Sequence, residues 1–258
     1  IFMIKTLIVG YGFVGKATEY MLEFTDAQVS KHDPLLGYEE GKQKKYDFVF
    51  LCVPTPDNGK HLDTTLLEKV YEEWKGKGQI IIRSTIGPDQ VSLFPDADFM
   101  PEFLREKHWR EDVVSKELPI VTSNKVLGEY LQDFFMLKDI HIVSGKEAMM
   151  FKLARNTALA MRVALANDFY DICEEQGMDY ESIEKMLSRD VSIGGSHWKC
   201  PGPDGGLGFG GKCLPKDLTH MANLCNNTTY HNHMLEALKQ NTIRRVRQLD
   251  KLLSGMEW

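Results

Sequence analysis

The first half of the chain alternates short apolar runs with stretches whose apolar residues recur at helical spacing. Ile4–Val9 reads as a strand, Val14–Glu23 as a helix and Gln28–His32 as a second strand. Asp47–Val53 is almost continuously apolar, the pattern of a strand buried on both faces of a parallel sheet. A helix over Leu66–Trp74 and a strand over Gln79–Arg83 follow. Pro119–Thr122 and Ile140–Val143 are further strand candidates, with a helix over Leu127–Phe135 between them. Such alternation predicts a doubly wound α/β sheet. After Ser144 the period changes. Glu147–Gln176 is one long helical stretch without Pro or Gly, and Gly177 is a natural stop for it. A short helix over Tyr180–Leu187 comes next. Residues 192–212 hold eight Gly and two Pro, which predicts a loop. Helices over Lys216–Cys225 and His231–Leu253 complete the chain. The expected organisation is an α/β domain over residues 1–146 and an all-α domain over 147–258, built on the long helix.

Composition narrows the function classes. Hydrophobic residues at 43% and charged residues at 26% suit a soluble globular chain. A net charge of -6 argues against a nucleic-acid partner, which favours a basic face. No apolar run is long enough to span a bilayer, so no membrane partner is expected. Ile1 and Phe2 precede Met3 and are set aside. The apolar start runs straight into a glycine-rich turn rather than a cleavage site, so no secretory leader is expected. The five cysteines (Cys52, Cys173, Cys200, Cys213 and Cys225) include no CxxC pair. Neither a metal site nor a disulfide framework is expected, and a reducing cytoplasm is the default location.

Gly10–Gly15, GYGFVG, matches G-x-G-x-x-G between a predicted strand and a predicted helix. Gly10 permits the tight turn, Gly12 lets backbone approach a pyrophosphate, and Gly15 lets helix and strand pack closely. The helix start offers free N–H groups to phosphates. This context predicts a Rossmann domain. Asp33, at the end of the second strand, can accept hydrogen bonds from ribose hydroxyls and would repel a 2′-phosphate, which selects NAD over NADP.

The second chemical segment is GFGGKCLPKD, Gly208–Asp217. Small residues beside Cys213 give a substrate access to sulfur. A neighbouring lysine and a helix start near Lys216 both favour the reactive thiolate. A free cysteine is also commonly a small buried hydrophobe. That plainer reading is preferred for Cys52, Cys173 and Cys225, and Cys200 is given no role.

Taken in order, GYGFVG, LCVPTP (Leu51–Pro56), STIGP (Ser84–Pro88), MPEFLRE (Met100–Glu106), KLARN (Lys152–Asn156) and GFGGKCLPKD resemble the nucleotide-sugar dehydrogenases typified by UDP-glucose 6-dehydrogenase. The likeness runs along essentially the whole chain. It implies oxidation of a nucleotide-sugar C6 alcohol to a carboxylate, with UDP-glucose as the leading substrate and NAD as cofactor. It implies that Cys213 is the nucleophile. Lys152 and Asn156 would stabilise an oxyanion, and Asp217 would orient the hydrolytic water. Glu102 and Glu106 are the acid–base candidates, and Thr85 a water-holding hydroxyl. Phe13, Val14, Val53, Pro54, Thr55, Ser84 and Thr85 would join Gly10, Gly12, Gly15 and Asp33 around the cofactor. Phe103, Leu104, Phe209, Gly210 and Lys216 would join Lys152 and Asn156 around the substrate. The long helix would form a homodimer interface.

The sequence departs from the family pattern in three places. Members carry a third, C-terminal nucleotide-binding domain; with the sequence ending at Trp258, either the protein lacks that domain or the sequence is cut short of it. Ser192 stands where the family has an Arg, and Lys199 or Lys212 are the candidate replacement charges. Cys200–Gly206 reads as an insertion that could shape a lid or be a passive turn. Two other readings are weighed beside the main one. A two-electron hydroxyacid dehydrogenase would use Lys152 and Asn156 without a thiol, and a non-catalytic NAD-binding remnant would use neither.

Overall fold

A computed structural model of the chain describes residues 3–39, 41, 44–59, 61–211, 213–225 and 229–254, with side chains described through residue 248. Contacts divide the chain between Lys152 and Leu153, and the short stretch Gly59–His61 is counted with the second unit.

The first unit contains β1 (Lys5–Val9), α1 (Phe13–Leu22), β2 (Gln28–Asp33), β3 (Tyr38–Glu39), β4 (Phe48–Leu51), α2 (Thr65–Trp74), β5 (Gln79–Ile82), β6 (Ala97–Phe99) and α3 (Trp109–Val114). The sheet order is β3-β2-β1-β4-β5-β6. The five longer strands run parallel, and β3 pairs antiparallel with β2 at one edge. Alternate residues of β1, β4 and β5 enter two different cores. Ile8, Phe50 and Ile81 pack with α1 residues Ala17 and Met21, whereas Leu7, Val49 and Ile80 pack with Leu67, Tyr71 and Trp74 of α2. Burial on both faces is why these strands read as unbroken apolar runs.

The expected Rossmann sheet followed by helices on one long central helix is therefore the observed fold. Three short elements were not anticipated: β3, β6 and α3. Each is six residues or fewer, too short for periodicity to register. The two later strand candidates, β7 (Ile120–Thr122) and β8 (Ile140–Ile142), do not extend the main sheet. They pair with each other in a separate parallel sheet, joined by α4 (Lys125–Phe134). The outer edge of β6 is instead taken by the residues leading into α4. Phe99 N–H donates to Ser123 Oγ (2.8 Å) and Asn124 Nδ2 donates to Asp98 Oδ2 (2.6 Å).

The long helix is α5 (Gly145–Gln176). It opens with reciprocal bonds: Ser144 N–H donates to Glu147 Oε2 (2.8 Å) and Glu147 N–H to Ser144 Oγ (3.3 Å). This capping box starts the helix ahead of the expected Glu147. The second unit adds α6 (Tyr180–Arg189), α7 (Leu214–Leu224) and α8 (Thr229–Ser254). Among the described residues no helix is long and apolar enough to cross a membrane.

Candidate functional site

In the first unit the cofactor candidates gather at the carboxyl ends of the parallel strands, where open α/β sheets take their ligands. Gly10 has φ +86°, the left-handed region that its turn needs. A Cβ on Gly15 would lie 2.2 Å from Gly10 O, so helix and turn touch there only because neither has a side chain. A Cβ on Gly12, just ahead of α1, would meet nothing within 4 Å. The turn is thus tight behind and open in front, with Phe13 and Val14 opening the helix. Asp33 ends β2, and its Oδ2 accepts from Tyr11 N–H (2.8 Å), which fixes the carboxylate beside the glycine turn. Val53, Pro54 and Thr55 follow β4, and Ser84 and Thr85 follow β5. Two bonds bind these ends: Ser84 Oγ donates to Val53 O (2.6 Å) and Thr55 Oγ1 to Thr85 O (2.5 Å). These residues fit a dinucleotide: an open helix start for the phosphates and a fixed carboxylate for ribose hydroxyls.

The loop after β6 carries Glu102, Phe103, Leu104 and Glu106. Glu102 and Phe103 are buried, Leu104 is half-buried and Glu106 is exposed. Lys152, on the first turns of α5 and also buried, donates through Nζ to Glu102 Oε1 (2.9 Å) and to Glu102 O (2.5 Å). Glu102 Oε2 accepts from Leu104 N–H (2.6 Å). The Phe103 ring packs edge-on against Phe151 and lies 5.7 Å from Lys152 Nζ. Burial by itself would raise the Glu102 carboxyl. The Lys152 charge and hydrogen bonds outweigh it and hold the group below the ordinary carboxylate range.

In the second unit, Cys213 is half-buried and occupies the N-cap of α7, with no side-chain cap bond. Asp217, in the first turn, is fully buried. Its Oδ2 accepts from Asn156 Nδ2 (2.6 Å) and its Oδ1 from Lys216 Nζ (2.7 Å). Cys213, Lys216 and Asp217 are therefore set within one short stretch of backbone, and the buried Asp217 carboxylate ties Lys216 to Asn156. Two other thiols, Cys52 and Cys200, are poor nucleophiles. Burial pushes Cys52 up to about 11 and Cys200 up to about 12, so both stay neutral near pH 7.

Several supporting residues were not anticipated. Asn167 Oδ1 accepts from Gly208 N–H (2.7 Å), and Asn241 Oδ1 accepts from Phe209 N–H (2.6 Å). Two amides, one from α5 and one from α8, thus hold the turn leading to Cys213. Gly208, at φ +79°, leaves room for this: a Cβ there would sit 2.3 Å from Asn241 Oδ1. An asparagine within a helix is the sequence signal, since it costs helix propensity unless its amide is used. Asn241→Leu should leave the buried Phe209 N–H unpartnered and cost about 1–3 kcal/mol. A urea unfolding curve measures that loss, and parent-like stability would refute the clamp.

The Cys200–Gly206 segment is a tight turn, with Gly202 N–H donating to Gly206 O (2.8 Å). It is pinned to α8 by Arg245 Nη1 on Asp204 Oδ2 (2.8 Å) and by Gln248 Nε2 on Gly205 O (3.1 Å). Ser192 is exposed, and its N–H donates to Asp190 Oδ1 (2.8 Å). Lys199 is exposed, and Lys212 lies outside the described residues. The cation that meets this loop is Arg162 of α5, which donates to Ile193 O (2.8 Å) and Ser196 O (3.0 Å). Among the described residues no cluster of His, Cys, Asp or Glu is placed to hold a metal ion.

The chain combines a Rossmann-type α/β unit with a helical unit that carries a thiol at a helix N-cap. Residues 146–242 match the central domain of the UDP-glucose/GDP-mannose dehydrogenase family, and the resemblance read from the motifs is thereby borne out. UDP-glucose 6-dehydrogenase TuaD of Bacillus subtilis (strain 168) is 33% identical over 162 residues, 60% of this chain and 34% of its own. The UDP-glucose 6-dehydrogenase of Rickettsia conorii (strain ATCC VR-613 / Malish 7) is 26% identical over 266 residues, 95% of this chain and 60% of its own. The chain thus spans between a third and three-fifths of the length of these relatives. A UDP-glucose dehydrogenase structure from the archaeon Pyrobaculum islandicum shares the fold, with TM-score 0.80 and 19% identity. That match covers 99% of this chain and 72% of the archaeal one.

Proposed function

We propose that the chain belongs to an NAD-dependent enzyme that oxidises the C6 alcohol of a nucleotide sugar, UDP-glucose first, to the carboxylate. The observation that carries this reading is the buried Asp217 carboxylate in the first turn behind the Cys213 N-cap, bonded to Lys216 beside it and to Asn156 of α5. A hydroxyacid dehydrogenase needs no thiol and no such carboxylate.

The glycine turn and Asp33 would hold NAD, which would supply the hydride acceptor for both two-electron oxidations. The protein's residues do the rest. Glu102, held ionised, is the base for the alcohol proton, and exposed Glu106 is the weaker candidate. Cys213, as thiolate at a helix N-terminus, adds to the aldehyde carbon and forms a C–S bond. Loss of hydride from that thiohemiacetal leaves a thioester. Water positioned by Asp217, with Thr85 as a second hydroxyl, adds to the thioester and releases the carboxylate and the free thiol. Lys152 spends two of its three N–H bonds on Glu102, and the third serves the developing oxyanion together with Asn156. Phe103, Leu104, Phe209, Gly210 and Lys216 are the proposed substrate contacts. The α5 residues Leu165 and Ile172 are exposed and apolar, which supports pairing of two copies through the long helix. Residues 1–146 and 147–258 remain the proposed domains, and the cytoplasm the proposed location.

The test is stoichiometry with the full-length gene product. Two NADH per UDP-glucose, with UDP-glucuronate as product, supports the reading. One NADH per turnover, or no reaction with UDP-glucose, UDP-N-acetyl sugars and GDP-mannose, refutes it.

A further inference from the structure

Arg83 directly follows β5 and is only 5% exposed. A guanidinium taken from water needs partners, yet its Nε, fully enclosed, has none. The side chain lines a cavity of about 40 Å³ with Glu102, Asp112 and Lys138. That space exceeds the roughly 10–15 Å³ that one water needs.

The other charged groups around this cavity are already engaged. Asp112 of α3 accepts from Arg105 Nη2 (2.5 Å). Lys138, between α4 and β8, donates to Ser115 O (2.5 Å) and Leu118 O (3.0 Å). Lys152 of α5 is bound to Glu102. Cys52, after β4, is a neutral thiol that shares a hydrogen bond with Thr18. Each Glu102 oxygen has one partner and can accept another. The cation with an unspent donor and the carboxylate with unspent lone pairs line one cavity, whose remaining wall is mostly apolar.

We propose that Arg83 is a positioning residue for Glu102, its guanidinium holding the carboxylate ionised and oriented through water in the shared cavity. This rests on Glu102 being the proposed base. Lys152 grips the carboxylate from α5, and Arg83 backs it from the sheet.

The test uses Arg83→Met and Arg83→Gln, which keep bulk and lose charge, with Arg83→Lys as the charge-keeping control. Removing a nearby cation disfavours the carboxylate. The acidic limb of the kcat/KM profile for UDP-glucose oxidation should move up by about one pH unit in the neutral variants and stay in place in Arg83→Lys. The Glu102 carboxyl resonance, assigned by its loss in Glu102→Gln and followed by ¹³C NMR, should move with it. A merely structural arginine would alter stability and leave both titrations where they were, and that result overturns the proposal. Retained activity in Glu102→Gln would instead defeat the base assignment, while the carboxyl titration would still decide whether Arg83 acts on Glu102.

Discussion

Cys213→Ser should fold as well as the parent chain and form no sugar carboxylate. The two halves of that expectation have separate causes. Cys213 sits at the N-cap of α7 with no side-chain cap bond, and serine is among the best N-cap residues. The substitution therefore removes no cap bond and supplies a hydroxyl of the kind that caps a first turn. The hydroxyl is a far weaker nucleophile at neutral pH, because the helix terminus stabilises a thiolate but cannot ionise an alcohol. Loss of a covalent nucleophile costs roughly four to six orders of magnitude in turnover. The measurement is product analysis beside thermal unfolding: an unchanged midpoint, the aldehyde level or no product at all, and no glucuronate. A Cys213→Ser or Cys213→Ala enzyme that still delivers the acid would remove the thiol from the mechanism. Cys52 and Cys200 cannot take over, because burial keeps both protonated.

What was legible in the sequence follows from what short-range pattern encodes. β1, β4 and β5 announced themselves because a strand buried on both faces has no polar alternation to confuse it. Gly10, Gly12 and Gly15 could be assigned separate jobs because each is a backbone requirement, and backbone requirements select glycine directly. The motif around Cys213 was legible because its members are near in sequence. The supports were not. Asn241 reaches Phe209 from 32 residues away and Asn167 reaches Gly208 from 41, so nothing local marks either amide as a clamp. Arg83 looked like the polar end of an apolar strand, and only burial and an unpartnered Nε set it apart. Glu102 and Glu106, both candidates from one motif, are separated by structure: one is buried against an ammonium and the other is exposed. Burial of charge is a tertiary property, and it is where sequence and site diverge here.

That buried pair gives the second large effect. Lys152→Met should destabilise the first unit by about 3–5 kcal/mol at pH 7, the scale for removing one partner of a buried ion pair. Both side chains are almost completely enclosed, so solvent does little to screen the abandoned carboxylate. The pH dependence fixes the sign. In the parent chain the folded Glu102 carboxyl lies below its ordinary value, so its contribution is complete above the unfolded value and is lost as pH falls through the folded one. In Lys152→Met the burial term is no longer outweighed, and the folded carboxyl should rise above the unfolded value. The deficit should then be largest near neutrality and shrink towards pH 4, where a neutral acid is what the pocket prefers. Adding Glu102→Gln should recover most of the lost stability, because the burial penalty goes with the charge. It should recover none of the activity. Turnover in Lys152→Met should fall by about 10²–10³, the scale for one oxyanion donor, and the double variant should be no faster. A double variant as unstable as Lys152→Met alone would place the cost in lost packing of the lysine stem rather than in an uncompensated carboxylate. The assignment of Lys152 as the group that keeps Glu102 ionised would fall with it.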